Sequence, residues 1–431
     1  MRCRLGKQTR KVSFYFVLVA LLGLSFMGGC SLGPSEPQTV RVGAIYPLSG
    51  SLASTGVDIR QGVEFAQAII NGEYDLDLPL AREAGLPALD ARIEVIFGDH
   101  AGDPAQGAAE AQRMLAEENV VALLGSYNSS VTLEASQVAE SARVPFLNPD
   151  STSPVLIERG FQWFFRTTAD DSIFVQNFYD FLAELGQAGG TEVTPRTLAV
   201  VYENSLFGTS VAQLEMAQAG QAGWQLAAEI PYLADTTDVQ AEVESLLASD
   251  ASLVMQSSYA SDAILFMQTY KEMGYRPQAI LAMNAGFISP AFVDTLGDDA
   301  NYVLSRDVWA LDIAGERQLV GEVNELYREQ YGTNLTGNSA RAFTGLVVLA
   351  DAINRAGSTD PEEIRQALHA TDIPAEQLIM PWEGVRFDPA TGQNVLASGI
   401  IVQIQDQAYH TVWPWHVASR ELIWPMPDWG E

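Results

Sequence analysis

The sequence predicts an α/β protein built as two doubly wound, Rossmann-like lobes of similar size. Three observations lead there. Short β-branched and apolar runs alternate with longer apolar-periodic stretches, the pattern of parallel strands covered by helices on both faces. The alternation passes through too many units for one sheet. Hydrophobic residues make up 47% of the 431 residues, enough to bury two cores.

In chain order, VRVGAIY (40–46) reads as a strand, and the Gly/Ser loop 47–56 leads into a helix over 57–70. RIEVIFGD (92–99) is a strand. Asp103 and Pro104 then start a helix running to about 118, with Asp as cap and Pro at the first helical position. VVALLG (120–125) is a buried strand followed by a helix from about Ser130, and VPFLN (144–148) is another strand. The rhythm repeats. TLAVVYE (197–203), SLVMQ (252–256) and AILAM (279–283) are strands, with helices near 171–186, 208–222, 238–248 and 261–273. Later helices fall near 316–331, 338–356 and 361–370. Asp360, Pro361 and Glu363 mark the start of the last one. Short strands lie around RFDPATGQ and GIIVQIQ (399–405). The segment 71–91 interrupts this order. It is acidic and contains proline, and it is expected to be a surface insertion.

Composition excludes several functions. The formal charge is −30. Five of the 24 basic residues and none of the 54 acidic ones lie in the first 29, so the remainder carries −35. Nucleic acid and anionic lipid surfaces repel such a chain. Beyond Cys3 and Cys30 there is no cysteine, hence no disulfide and no thiolate site. His100, His369, His410 and His416 show no zinc-binding spacing. No metal and no cofactor are expected.

The N-terminus has the layout of a secretory signal. Arg2, Arg4, Lys7, Arg10 and Lys11 precede an apolar run from Val12 to Met27, then Gly28, Gly29 and Cys30. The run is short for a membrane span. A cut before Cys30 resembles the lipobox of bacterial lipoproteins, in which the cysteine is acylated; an ordinary signal peptide with an incidental cysteine is the alternative. Residues 1–29 are thus expected to be a lipoprotein signal peptide and 30–39 a Ser/Pro-rich tether. The protein is expected outside the cytoplasm, anchored to a membrane through Cys30, periplasmic or at the cell surface.

In doubly wound sheets a ligand sits beyond the carboxyl ends of the strands. Two strand ends here are rich in hydroxyls. Ser126 to Ser130 follow VVALLG, and Pro149, Asp150, Ser151, Thr152 and Ser153 follow VPFLN. Each run is expected to open a helix, where free backbone N–H groups and a hydroxyl converge on an anionic group. Helix capping explains either run equally well.

At this point the chain resembles the substrate-binding lipoproteins of branched-chain amino acid type ABC importers. The motifs are VRVGAIYPLSGSLASTG, GDHAGDP, LLGSYNSS, PFLNPDSTSPVLIERGFQWFFRTT, YENSLFGTS, GNSARAFTGLVVLADAINRAGSTD and VRFDPATGQN, in that order along the chain. The resemblance implies the type I periplasmic binding protein fold, two lobes joined by three crossing hinge segments. Lobe 1 is expected over 40–170 and 307–384, lobe 2 over 171–306 and 385–417. It implies Ser129 for a ligand carboxylate, Thr152 and the Asp150 carbonyl at the next strand end with Ser151 between them, and Phe207 and Tyr259 from lobe 2. Asn284 and Asn338 are expected at the cleft. The family's acid for the ligand ammonium falls at Asn284, Ala285 and Gly286, where this chain has none. Asp262 could replace it, though a helix cap is the simpler use. Asp150 and Asp171 are further candidates, with capping the expected use of the Asp150 side chain. Thr55 stands where some relatives have an aromatic.

The function expected is capture of a small polar solute (amino acid, amide or carboxylate) and delivery to ABC permease subunits, by a monomer. A sensor of the same fold reporting to a membrane receptor is the alternative. An exported hydrolase lacks support: there is no GxSxG elbow and no phosphate-binding glycine loop.

Overall fold

The structure, a computed structural model, describes residues 38–188 and 193–429. The signal, Cys30 and nearly all of the tether lie outside the described residues.

The chain begins with β1 (Gln38–Tyr46), α1 (Ala53–Asn71), β2 (Ala91–Asp99), α2 (Pro104–Glu117), β3 (Ala122–Gly125), α3 (Ser129–Ala142), β4 (Phe146–Asn148) and β5 (Phe164–Arg166). The strands form a parallel sheet in the order β2-β1-β3-β4-β5. Strand side chains alternate between faces, and both faces here are apolar. Val42, Ala44, Leu124 and Leu147 pack with Ile59 and Val63 of α1, while Ile45, Leu123, Phe146 and Phe164 pack with Met114 of α2 and Ala135 of α3. That is why these strands read as unbroken apolar runs.

Residues 167–170 carry the chain to a second sheet. Here α4 (Asp171–Ala188), β6 (Thr197–Glu203), α5 (Leu206–Gln221), β7 (Gln225–Tyr232), α6 (Gln240–Ser249), β8 (Leu253–Ser257), α7 (Ala260–Met273), β9 (Ala279–Ala282), α8 (Pro290–Leu296) and β10 (Leu304–Asp307) follow. Strands β7-β6-β8-β9-β10 are parallel neighbours. Leu198, Val200 and Met255 face α4 and α5; Ala199, Val201 and Val254 face α6 and α7. Residues 308–317 cross back, and α9 (Gln318–Tyr331), α10 (Gly337–Ala356) and α11 (Pro361–His369) join the first lobe with a small hairpin, β11 (Asp372–Pro374) and β12 (Gly384–Arg386). A third crossing, 387–399, returns the chain to β13 (Ile400–Gln405) and β14 (Ala408–Trp413), added antiparallel beside β10. The fold is therefore two doubly wound α/β lobes joined by three crossing segments.

Four points differ from the sequence expectation. The second hydroxyl run opens no α-helix, only a single 3-10 turn, Pro154–Leu156. The segment 71–91 is not merely superficial: Leu76, Leu78, Ala81 and Leu86 are buried, and the Ala88 N–H donates to Asn354 of α10 at 2.9 Å. Strands β5, β7, β10, β11 and β14 and helix α8 are absent from the sequence expectation. The polar core strand β10 matters most, because it enters the site. The tail beyond 417 continues along the second lobe, where the Trp429 indole donates to the Tyr275 carbonyl. Among the described residues no helix is long and apolar enough to cross a membrane, and no His/Cys/Asp/Glu cluster could hold a metal ion.

Candidate ligand-binding site

Strand order reverses between β1 and β3 in the first sheet and between β6 and β8 in the second, and a crevice forms beyond the carboxyl ends at such points. The segments after β3, β4, β6, β8 and β9 meet at one small cavity between the lobes. Ser129, Asp150, Ser151 and Thr152 line it from the first lobe, and Phe207, Tyr259 and Asn284 from the second. Asn338 stands behind the wall, fully buried, its Oδ1 accepting from Arg341 Nη2 at 2.5 Å.

Local chemistry sets each position. Asn148 ends β4, and its Oδ1 accepts from the N–H groups of Asp150 and Ser151 at 2.9 and 2.8 Å. This turn, not a helix, presents the run. The Ser151 hydroxyl is engaged within the first lobe, 2.6 Å from the Thr132 hydroxyl and 2.5 Å from the Ser126 carbonyl. Ser129 is the first residue of α3, and Asn128 makes no side-chain cap. Ser129 itself is buried at the cavity with its hydroxyl unbonded among the described residues. Thr152 accepts the Asp171 N–H on its carbonyl at 3.0 Å, which ties the first crossing to the site.

On the second lobe, Glu203 at the end of β6 accepts from Ser205 and Gly208 N–H groups at 2.6 and 2.8 Å. That closes the turn which seats Phe207 in the first turn of α5. Tyr259 is the N-cap residue of α7. Tyr127, Tyr259 and Phe207 pack in a row across the lobes, with ring centroids 5.8 Å apart at both steps. Asn284, at φ +55°, donates to Asp307 Oδ1 at 3.3 Å.

The expected capping role of the Asp150 side chain is wrong. Its carboxylate accepts from the Tyr46 hydroxyl at 3.0 Å and lies 3.6 Å from Arg341 Nε. Asn148 does the capping instead. Asp262 does not line the cavity; it accepts the Asp235 N–H at 3.2 Å. Thr55 is buried, with its hydroxyl unpartnered.

Sequence reasoning missed Tyr127, Arg306 and Arg341 as cavity lining. Both arginines are 1% exposed. Arg341 sits on α10 and pairs with Asp150. Arg306, on β10, lies 3.6 Å from Asp171 through Nη2 and 3.6 Å above the Phe174 ring. Burial pushes Asp150 and Asp171 up to about 6 against the pull of the facing guanidiniums, and lowers Arg306 to about 9. The signal for Arg341 was present: one arginine in an otherwise apolar helical stretch, ARAFTGLVVLA.

The cavity is about 20 Å³, room for about one water molecule. A larger cavity of about 710 Å³ lies beside it between the lobes, and Asp58, Asp307, Trp309, Leu335 and Tyr409 are among its lining residues. The bonded pair Asn284 and Asp307 separates the two. A solute of amino acid size does not fit the small cavity at this volume.

Comparison with known proteins places the chain in a family. The model of a family described as periplasmic binding protein matches residues 39–408. Leu/Ile/Val-binding protein homolog 7 of Brucella suis biovar 1 (strain 1330) is 30% identical over 414 residues, covering 95% of this chain and 99% of its own. Homolog 8 of Brucella abortus (strain 2308) is 30% identical over 408 residues, covering 91% and 97%. Among solved structures, the leucine binding protein LivK from Thermotoga maritima MSB8 superposes with a TM-score of 0.73 at 18% identity, covering 86% of this chain and 97% of its own. A solute binding protein of an ABC transporter from Rhodopseudomonas palustris BisB5, in complex with 3,4-dihydroxy benzoic acid, gives 0.70 at 18%, covering 87% and 96%. The chain belongs to the periplasmic binding protein family: it is an extracytoplasmic solute-binding protein and not an enzyme.

Proposed function

We propose that this periplasmic binding protein captures a small solute with a carboxylate or amide group and no α-ammonium, and delivers it to the membrane subunits of an ABC importer. Ser129, Thr152, Phe207, Tyr259 and Asn284 contact the solute in the inter-lobe cavity, while Ser151 and Asn338 brace that wall. The lobes span about 40–170 with 307–384, and 171–306 with 385–417, and the protein acts as a monomer.

One observation carries the ligand class. Asp150 is the carboxylate lining the cavity, and Tyr46 and Arg341 already engage it. Ala285 lines the cavity at the position where the resemblance calls for an acid. An ammonium buried there lacks a free partner, at a penalty of several kcal/mol. Leu/Ile/Val binding, for which the Brucella relatives are named, is the competing class. Calorimetric titration with leucine beside its keto and hydroxy analogues separates them. The analogues are expected to bind more tightly; micromolar leucine binding with no binding of the analogues returns the protein to the amino acid importers.

Anchoring through acylated Cys30 completes the reading, motivated by the signal layout ending Gly28, Gly29 and Cys30. Two or more acyl chains give stable attachment where one does not. Cys30→Ser is expected in the soluble fraction; a variant that stays membrane-bound after a salt wash refutes the anchor.

A further inference from the structure

We infer that the solute's negative charge is held between two guanidiniums, Arg341 from the first lobe and Arg306 from the second, so that an anion draws the lobes together. This deepens the proposed function and rests on it for the location of the site.

Both arginines line the cavity and both are 1% exposed. Each is steadied by an acid of its own surroundings without being saturated. Arg341 Nε lies 3.6 Å from Asp150 Oδ1, and Arg306 Nη2 lies 3.6 Å from Asp171 Oδ1, both longer than a direct hydrogen bond. Arg306 Nη1 has no acceptor among the described residues, and neither does the buried Tyr127 hydroxyl. Buried donors, above all charged ones, call for acceptors. The lining holds two cations and one carboxylate, and Asp171 beside Arg306 brings these four charges to balance. The unfilled donors belong to both lobes: Arg306 to the second, Tyr127 and Ser129 to the first.

The arrangement has a mechanical consequence. Without an anion each guanidinium faces an aspartate of its own lobe, and neither pair bridges the lobe boundary. An anion placed between the two guanidiniums attracts both and favours closing, by its differential affinity for the closed form. Planar guanidinium suits a carboxylate in particular. The row Tyr127, Tyr259, Phe207 offers the solute's body an apolar wall. The ligand class is therefore a small apolar or aromatic monocarboxylate. A neutral amide of the same shape fills the same space but exerts no pull between the arginines.

The test uses matched probes on the full-length protein in detergent: 4-methyl-2-oxopentanoate and benzoate, each against its own amide. Wild type is expected to bind the acids roughly tenfold or more tightly than the amides. Arg306→Gln is expected to bring the acid and amide of each pair to within about threefold. Because that variant leaves Asp171 unpaired, Asp171→Asn with Arg306→Gln serves as the charge-neutral control and is expected to lose the acid preference equally. Melting temperature checks folding in both. Equal binding of acid and amide by wild type, or an acid preference that survives in the double variant, overturns the anion clamp while leaving an ammonium-free ligand in place. Binding of leucine with neither acid nor amide overturns the proposed ligand class as well.

Discussion

Three hydroxyl residues that look alike in sequence divide by what their oxygens touch. Ser129 presents an unbonded hydroxyl to the cavity. Thr152 lines the same cavity beside Asp171. Ser151 is bound to Thr132 and to the Ser126 carbonyl inside the first lobe. Ser129→Ala and Thr152→Ala are each expected to weaken solute binding by roughly 1–3 kcal/mol, the scale of a hydrogen bond to a charged group, with the empty protein's melting temperature nearly unchanged. Ser151→Ala is expected to do the reverse, lowering stability by about 1–3 kcal/mol because it strands buried polar groups. Calorimetry and thermal melting on the three variants check this; a Ser151→Ala protein of full stability and lost affinity refutes the division. The hydroxyl runs were legible because small polar residues at the end of an apolar strand are conspicuous. Their division was not, because it depends on Thr132 and Ser126, which Ser151 meets only across the fold.

Individual elements were legible in proportion to how far local chemistry decides them. Helix α2 begins where Asp103 and Pro104 place it, with Asp103 accepting the Gln106 N–H at 2.8 Å. Helix α11 begins at Pro361 behind the Asp360 cap, as its sequence indicates. Strands β3 and β6 are apolar and buried on both faces and stand out. Strand β10 does not. Its sequence LSRD carries arginine and aspartate, yet all four residues are buried. It exists because β9 and β13 flank it and supply its ladder, while its two charges find partners in Asp171 and Asn284. Strand β7 was hidden for the opposite reason. It is an edge strand containing Pro231 and largely exposed residues, and edges tolerate such composition.

At the scale of the molecule, the cleft concentrates charge away from water. Burial raises Asp58, Asp150, Asp171 and Asp307 each to about 6. A carboxyl whose pKa is higher in the folded state than in the unfolded chain stabilises the fold when protonated. That contribution is complete below about pH 4 and is lost as pH rises through about 6. The solute-free protein is therefore expected to melt at a higher temperature at about pH 5 than at about pH 7.5. Ordinary surface carboxylates titrate below this window. Asp307, which has no ion-pair partner among the described residues, isolates the effect: Asp307→Asn is expected to reduce the difference between the two melting temperatures. An unchanged difference in that variant shows that other groups carry it.

The sequence by itself determined the class of fold, the alternation of strands and helices, the hydroxyl-rich strand ends and a composition with no cysteine beyond Cys3 and Cys30. All of these follow from periodicity, capping and composition, which act over a few residues. The tertiary structure alone decided which side chains share the cavity. Arg306 and Asp171 are 135 positions apart, and Arg341 and Asp150 are 191 apart. They meet because the chain crosses between two sheets three times and α10 returns to the first lobe. Nothing local in LSRD marks its arginine as facing a ligand, and the lone arginine of ARAFTGLVVLA signals burial without naming its partner. What assigns the pair is the desolvation of each guanidinium against its aspartate, an energy that exists only once both lobes have folded around them.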